Sequence, residues 1–235
     1  MRVLGIDTSA YVNAVGITDG AKVRADNIFE ARNDSLERIV ADIDATLKSA
    51  GLRLEDIDGF GIGLGPGSWT GIRVGVTVGK ILAFSTGKPV AGVGTLEALA
   101  YQTREAGREI CAVMGAGTRD AVYAARYLSE AGRVKQQGDY YVGSISGLAA
   151  GLDKGAIIVS SAEGKAGEEI ERVLRSSVAD FRNDVPRGAA MAALAAARLG
   201  RGESDDALAL APLYLKESSA RAQSQRTVRG TGAGG

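Results

Sequence analysis

Residues 60–84 read FGIGLGPGSWTGIRVGVTVGKILAF, and few folds accommodate such a stretch. A short apolar segment, Ile57 to Leu64, breaks at Gly65-Pro66-Gly67-Ser68 and restarts as a long, almost wholly apolar run. Pro66 fixes one φ angle, and the glycines beside it reach angles closed to other residues. The pattern is a strand, a tight glycine loop and a helix that Ser68 or Thr70 can cap. N–H groups exposed at such a junction make a site for an anion or for another stretch of backbone. The nucleotide loops of known spacing do not fit. No glycine is followed at Walker spacing by Gly-Lys-Ser/Thr. In the three dinucleotide registers, starting at Gly61, Gly63 or Gly65, the last glycine is replaced by Pro66, Ser68 or Thr70.

The helix predicted after the loop carries Gly71, Gly75 and Gly79 at four-residue spacing, with a narrow polar stripe of Arg73, Thr77 and Lys80. Ile72, Val74, Val76, Val78, Ile81 and Leu82 fill most of the rest. Each interior glycine destabilises a helix by about 1 kcal/mol relative to alanine, so close packing has to offset it. Either the helix lies at the centre of its own core, or it is shared between its own sheet and a partner protein. On the second reading the glycines form a seam that Gly75→Leu would block while the monomer stays folded.

The chain of 235 residues has room for one large or two modest domains. It contains no histidine and one cysteine, Cys111. The commonest general base and metal ligand are therefore missing, with any Ser-His-Asp or Cys-His arrangement, and no internal disulfide can form. Protease chemistry is correspondingly disfavoured. A formal net charge of zero argues against strong nucleic-acid binding by this chain alone. No signal-peptide core or membrane span is legible, and the expectation is a soluble cytoplasmic protein.

In chain order, Arg2–Ile6, Ala10–Ile17 and Lys22–Phe29 form a predicted three-strand meander. Asp7-Thr8-Ser9 closes the first strand; there Asp7 can hold a hydrated cation or contact phosphate, or simply bond the turn's own N–H groups. Ser35 to Ala50 is an amphipathic helix with Asp34 as N-cap, Gly51 as stop and Leu36, Ile39, Val40, Ile43 and Leu47 at helical spacing. After the central strand, loop and helix come a short strand, Val90–Val93, and a helix to Gln102 with Thr95 as its cap. Beyond a polar connector at Arg104–Arg108 the opening order returns: strand Ile110–Met114, turn Gly115–Asp120, strand Ala121–Leu128, hairpin turn and strand Arg133–Gln137. A helix near Ser144–Ala150, a strand Ala156–Ser160 and helices Glu168–Arg175 and Gly188–Leu199 follow. The chain thus divides into an N-terminal half, 1–103, and a C-terminal half, 104–216, whose last segment returns to the first. Residues 217–235 have almost nothing to bury, so a disordered tail is expected; its Arg221, Arg226 and Arg229 are more simply solvated than RNA-bound.

Four motifs together resemble the bacterial TsaB (YeaZ) family: Gly5-Ile6-Asp7-Thr8-Ser9, the block from Gly63 to Gly75, the block from Gly92 to Ala100, and Pro212-Leu213-Tyr214-Leu215-Lys216. The resemblance runs from the first strand to about residue 216. The Gly-Pro-Gly-Ser-aromatic-Thr-Gly block is its specific part. It implies an α/β, actin-like and sugar-kinase-like (ASKHA) fold of duplicated βββαβα halves. It also implies a role in adding threonylcarbamoyl to the adenosine beside the anticodon of tRNAs reading codons that begin with A. In that family the protein is a non-catalytic scaffold or activator of a TsaD-like catalytic subunit, with a TsaE-like ATPase as third component. The helices after Asp34 and after the glycine loop are those it uses to pair with TsaD or with a second copy of itself.

The resemblance therefore implies a pairing surface made of Leu36, Ile39, Val40, Ile43, Leu47, Trp69, Gly71, Ile72, Gly75, Val76 and Gly79. Asp7, Thr8 and Ser9 become a vestigial phosphate contact. No catalytic residue, metal or tightly bound cofactor is expected, although ATP can sit at the complex interface. A homodimer is expected in isolation, tRNA contact only within the complex, and no membrane. Two departures bear on activity. The segment Asn33–Glu37 holds no histidine where the catalytic subunit has its metal site. The second half's strand-end turn, Gly115-Ala116-Gly117-Thr118, holds no acid, whereas actin-like phosphotransferases use one from each half. A small-molecule phosphotransferase or ATPase of the same fold is the alternative, and Asp7 is its supporting residue.

Overall fold

A computed structural model describes residues 1–30, 35–118 and 120–215, except for the side chains of 35–37. The first meander forms as the sequence predicts. β1 (Arg2–Asp7), β2 (Val12–Asp19) and β3 (Lys22–Glu30) pair antiparallel, and the hairpin between β2 and β3 turns at Gly20 in the left-handed region. β4 (Gly59–Gly63) and β5 (Val90–Val93) add in parallel on the other side of β1, giving the order β3-β2-β1-β4-β5. α1 (Ser35–Ser49) and α2 (Trp69–Thr86) are the crossovers that parallel pairing requires.

The second half repeats this plan. β6 (Glu109–Gly115), β7 (Ala121–Glu130) and β8 (Arg133–Ser144) form the meander, and β9 (Ile157–Ser161) and β10 (Asp180–Asn183) extend it in parallel. The order β10-β9-β6-β7-β8 is that of the first sheet, element for element. The chain is a duplicated actin-like α/β fold.

Side-chain alternation along the strands sorts the helices into layers. Leu4, Ile6, Ile17, Phe60 and Ile62 face α1 and α2, in one core with Ile39, Ile43, Leu47, Ile72 and Val76. Val3 and the glycines between these residues face the opposite way, onto α6 (Gly188–Leu199). A Cβ at Gly5 or Gly16 would strike the α6 backbone at Gly188, Ala189 or Ala192, and one at Gly61 would strike Met191 and Ala195. Glycine on the sheet and alanine on the helix thus let α6 lie against bare strand backbone. Asp26 of β3 supplies the cap that α6 lacks locally, accepting from Ala189 N–H at 3.0 Å.

By chain order α6 falls in the second half, yet it packs on the first sheet. α3 (Thr95–Thr103) does the reverse, burying Leu96, Leu99 and Ala100 against Ile110, Ala112, Tyr127 and Ile157 of the second sheet. α3 and α6 touch each other between the sheets, through Ala98 and Tyr101 in the α6 cluster. α4 (Ile145–Ala150) and α5 (Gly164–Arg175) cover the outer face of the second sheet, over Cys111, Val113, Val122 and Ile158. From outside to outside the layers are α1/α2, sheet, α6/α3, sheet and α4/α5.

Several sequence expectations need correction. Thr95 is not a cap: Gly94 holds that position without a side-chain bond, and the Thr95 hydroxyl is used elsewhere. β8 runs on to Ser144, past Gln137, because Gly138 in the left-handed region and a register shift at Ala124/Arg126 re-aim the strand without ending it. α5 begins at Gly164, one turn before Glu168. β10 went unread, since Asp-Phe-Arg-Asn has no apolar alternation; it is an edge strand whose Arg182 is engaged by Asp180 and Glu105. The Asp34 cap and the tail 217–235 lie outside the described residues. No helix among the described residues is long and apolar enough to cross a membrane.

Candidate functional site

Two sequence motifs meet at the carboxyl end of β1. Asp7 is buried there, and its Oδ1 accepts from the Ser9 N–H at 2.8 Å and the Ser9 hydroxyl at 2.6 Å. Its Oδ2 accepts from the Thr95 hydroxyl at 2.7 Å, and the Ser9 and Thr95 hydroxyls lie 2.9 Å apart. A Cβ at Gly63 would collide with the Asp7 carboxylate, so β4 needs glycine to pass it. Burial pushes the Asp7 carboxyl above the ordinary carboxylate range, against hydrogen bonds from Ser9 and Thr95 that lower it.

The glycine loop closes on the same turn. Ser68 N–H donates to Ser9 O at 2.7 Å, and Thr8 Oγ1 donates to Gly71 O at 2.6 Å. Thr95 N–H donates to Gly65 O at 2.8 Å, bringing β5 and α3 into the cluster. Of the two caps the sequence offers, Ser68 and Thr70, Ser68 holds the position, accepting from Gly71 N–H. Of the two uses open to this junction, backbone docking is the one the Ser68 N–H serves.

In the second half's equivalent turn, residues 115–118 carry no acid, and Asp120 at its far end is exposed. Ala116 N–H donates to Ala121 O at 2.9 Å, closing the turn internally. Tyr11, just past the Asp7 turn, has its hydroxyl pushed up by burial, with Glu163 and Asp184 of the second half adding to the rise. Among the described residues no group of three His, Cys, Asp or Glu side chains is placed to hold a metal. Burial pushes the Cys111 thiol up to about 12, so it is a poor nucleophile.

The expected pairing surface divides in two. Ile39, Ile43, Leu47, Ile72, Gly75, Val76 and Gly79 are buried within this chain. Gly71, half-buried, and Gly75 sit over Thr8, and Gly79 sits over Ile62, where a Cβ at any of the three would clash. The glycine stripe therefore faces its own sheet, which corrects the expectation of a partner seam. Gly75→Leu would drive a side chain into Thr8 and disturb the monomer itself. The Leu36 side chain lies outside the described residues. Val40 and Trp69 are exposed, at 62% and 42%.

Exposed apolar residues that the sequence reading did not select lie beside them: Ile81 at 60% and Phe84 at 72% on α2. The signal was available. Arg73 and Thr77 mark the solvent side of α2, with Trp69 four residues before Arg73 and Ile81 four residues after Thr77. The face is thus apolar at both ends and polar in the middle. Since α1 packs beside α2, Val40 can extend it. An apolar face that no other described residue covers is of the kind that interaction sites present.

A family model described as TsaD, tRNA N6-adenosine threonylcarbamoyltransferase, matches residues 29–178. The tRNA threonylcarbamoyladenosine biosynthesis protein TsaB of Bacillus subtilis (strain 168) is 31% identical over 136 residues, which cover 58% of this chain and 59% of that protein. The tRNA N6-adenosine threonylcarbamoyltransferase of Tropheryma whipplei (strain Twist) is 35% identical over 109 residues, 40% of this chain and 27% of that protein. The solved structure of YeaZ from Pseudomonas aeruginosa aligns with a TM-score of 0.75 at 25% identity, over 91% of this chain and 99% of that one. The match to the Bacillus protein thus spans about three-fifths of its length, whereas the structural match is nearly end to end. With the duplicated fold, the locked glycine loop and these likenesses together, the chain belongs to the family that the TsaD model describes and, within it, to the TsaB (YeaZ) proteins.

Proposed function

We propose that this chain is the non-catalytic subunit of a complex that adds threonylcarbamoyl to the adenosine beside the anticodon of tRNAs reading codons that begin with A. The observation that carries the reading is the state of Asp7. Asp7, the acid of the first strand-end turn, is buried and bonded to Ser9 and Thr95, and residues 115–118 of the second half's turn hold no acid. An actin-like phosphotransferase needs both acids free to work around a nucleotide-bound metal. The exposed face of α1 and α2 then supplies what a scaffold needs, a surface for a TsaD-like catalytic subunit. A TsaE-like ATPase is the third component, and ATP belongs at the interface of the assembly. tRNA is held by the assembly, which works in the cytoplasm. In isolation the same face pairs two copies of the chain.

Reconstitution tests this: a TsaD-like subunit, a TsaE-like ATPase, tRNA and a source of threonylcarbamoyl-adenylate, with and without this chain. Modification that depends on the chain, with no ATP hydrolysis by the chain alone, is the expected result. Turnover of ATP by the isolated chain, abolished by Asp7→Ala, would overturn it in favour of a phosphotransferase.

A further inference from the structure

Lys80 lies two turns after Arg73 on the same stripe of α2, and it has a defined use. Its Nζ donates to Leu208 O at 2.8 Å and to Leu210 O at 3.1 Å. Downstream, Leu213 N–H donates to Leu64 O at 2.8 Å, and the Tyr214 ring stacks on Trp69 with centroids 3.9 Å apart. Upstream, Asp205 accepts from Gly92 N–H at 2.7 Å, pairs with Arg198 and bridges Val90 on the open edge of β5. Residues 205–214 therefore form a strap. It starts at the free edge of the first sheet, meets α2 at Lys80 and runs antiparallel to it as far as Trp69.

The strap does more than cover an edge. Leu208 is 70% exposed although it lies beside Lys80, next in sequence to the exposed Ile81. Tyr214 is half-exposed, on the helix end where Trp69 is exposed. A strap with only a protective role would turn Leu208 inward, as it does Leu210, which is buried in the core beneath α2. We infer that the strap is a third element of the partner face, with Leu208 and Tyr214 touching the catalytic subunit alongside Ile81, Phe84 and Trp69. This rests on the partner reading above. The occupant follows from continuity with the α1/α2 face and from the likeness of this chain to a threonylcarbamoyltransferase. A homologous subunit has its own copies of these helices, and two related surfaces pair about a pseudo-two-fold axis. Arg73, exposed at the middle of the face and without an ion pair among the described residues, calls for a carboxylate on that subunit.

The test titrates purified TsaD-like subunit into full-length variants by calorimetry, with thermal melts as a check on folding. Leu208→Asp places a charge at an exposed position, so its melt should match wild type while binding weakens about tenfold or more. Lys80→Met keeps the apolar stem and removes both donors; it should weaken binding several-fold and speed amide exchange at 208–214. Val142→Ser, on β8 of the other sheet, is the control and should bind normally. Normal binding by Leu208→Asp and Tyr214→Ala, with binding lost in Phe84→Asp, would overturn the strap inference and leave the helical face intact. Normal binding by all three would overturn the face and the strap together. Loss of self-association with normal binding to the catalytic subunit would assign the strap to a second copy and overturn this occupant.

Discussion

Asp7 shows how one side chain can look catalytic in a sequence and be structural in a fold. Its carboxylate accepts three hydrogen bonds inside the protein and ties β1 to the start of α3. Asp7→Ala should destabilise the chain by about 2–4 kcal/mol, from one or two buried donors left without an acceptor at 1–3 kcal/mol each. Urea unfolding measures it, and a loss below 1 kcal/mol would mean that the network carries little. Asp7→Asn should cost less, since the amide can accept from Ser9 and donate to Thr95 in its place. The pH dependence separates the two forms further. Burial raises the folded pKa of Asp7, so the native state holds the proton more tightly than the unfolded chain. The stability from this group is full below the unfolded value near 3.8 and is lost as pH rises through the folded one. Stability of wild type minus Asp7→Asn should therefore fall from about pH 4 upward and level off above the folded pKa. Gly75 makes the same point from the packing side. Gly75→Leu should lower the melting temperature by about 10 °C or more, because the clash is with Thr8 in the monomer and overpacking costs several kcal/mol. A folded, merely unpaired monomer would show that α2 can shift outward to make room.

Among the elements, α2 and α6 divide what periodicity can and cannot tell. In α2 the start after the glycine loop, a cap at Ser68 or Thr70 and the polar stripe were legible, because caps and stripes are local features. Which apolar residues faced the sheet was not, since the helix is apolar on more than one side and only contact with Thr8 and Ile62 decides the matter. α6 was legible as a helix but not in its placement. Nothing in an alanine-rich run says which sheet it will cover. The complementary mark lies far away in sequence, in Gly5, Gly16 and Gly61. Gly16→Val should therefore dislodge α6: calorimetry should show loss of cooperative unfolding or a melting temperature lower by about 10 °C or more. A wild-type melt would mean that α6 is not seated on bare backbone. Thr95 was misread as a cap for a related reason. Threonine at a helix start is a good local cap, but the distant Asp7 offers its hydroxyl a buried carboxyl acceptor.

For the whole molecule, two equal sheets in the same strand order enclose α3 and α6, each covering the sheet of the other half. The halves are interlocked by exchanged helices, which limits how far they can open about the Asp7 turn. Gln102 reinforces the joint, donating to Asp184 Oδ2 and Val185 O and accepting from Arg187 N–H just before α6. What remains outward is the α1/α2 face. Phe84→Asp, at a position exposed in the monomer, should leave the melting temperature within a few degrees and abolish self-association in sedimentation velocity. A dimer that persists with this variant would place the self-contact elsewhere.

The sequence by itself determined the local units and their repetition. The strands other than β10, the hairpin turns, the capped helix after the glycine loop and the second meander follow from near-neighbour spacing, and so did the resemblance to TsaB (YeaZ) proteins. Only the tertiary structure decided what each apolar or small residue meets. The glycine stripe turned inward, Val40, Trp69, Ile81 and Phe84 stayed outside, and Lys80 found the strap. The reason is physical. A helix or strand forms from interactions within a few residues, whereas burial depends on partners such as Thr8 with Gly75, or Gly16 with Ala189, that only folding brings together.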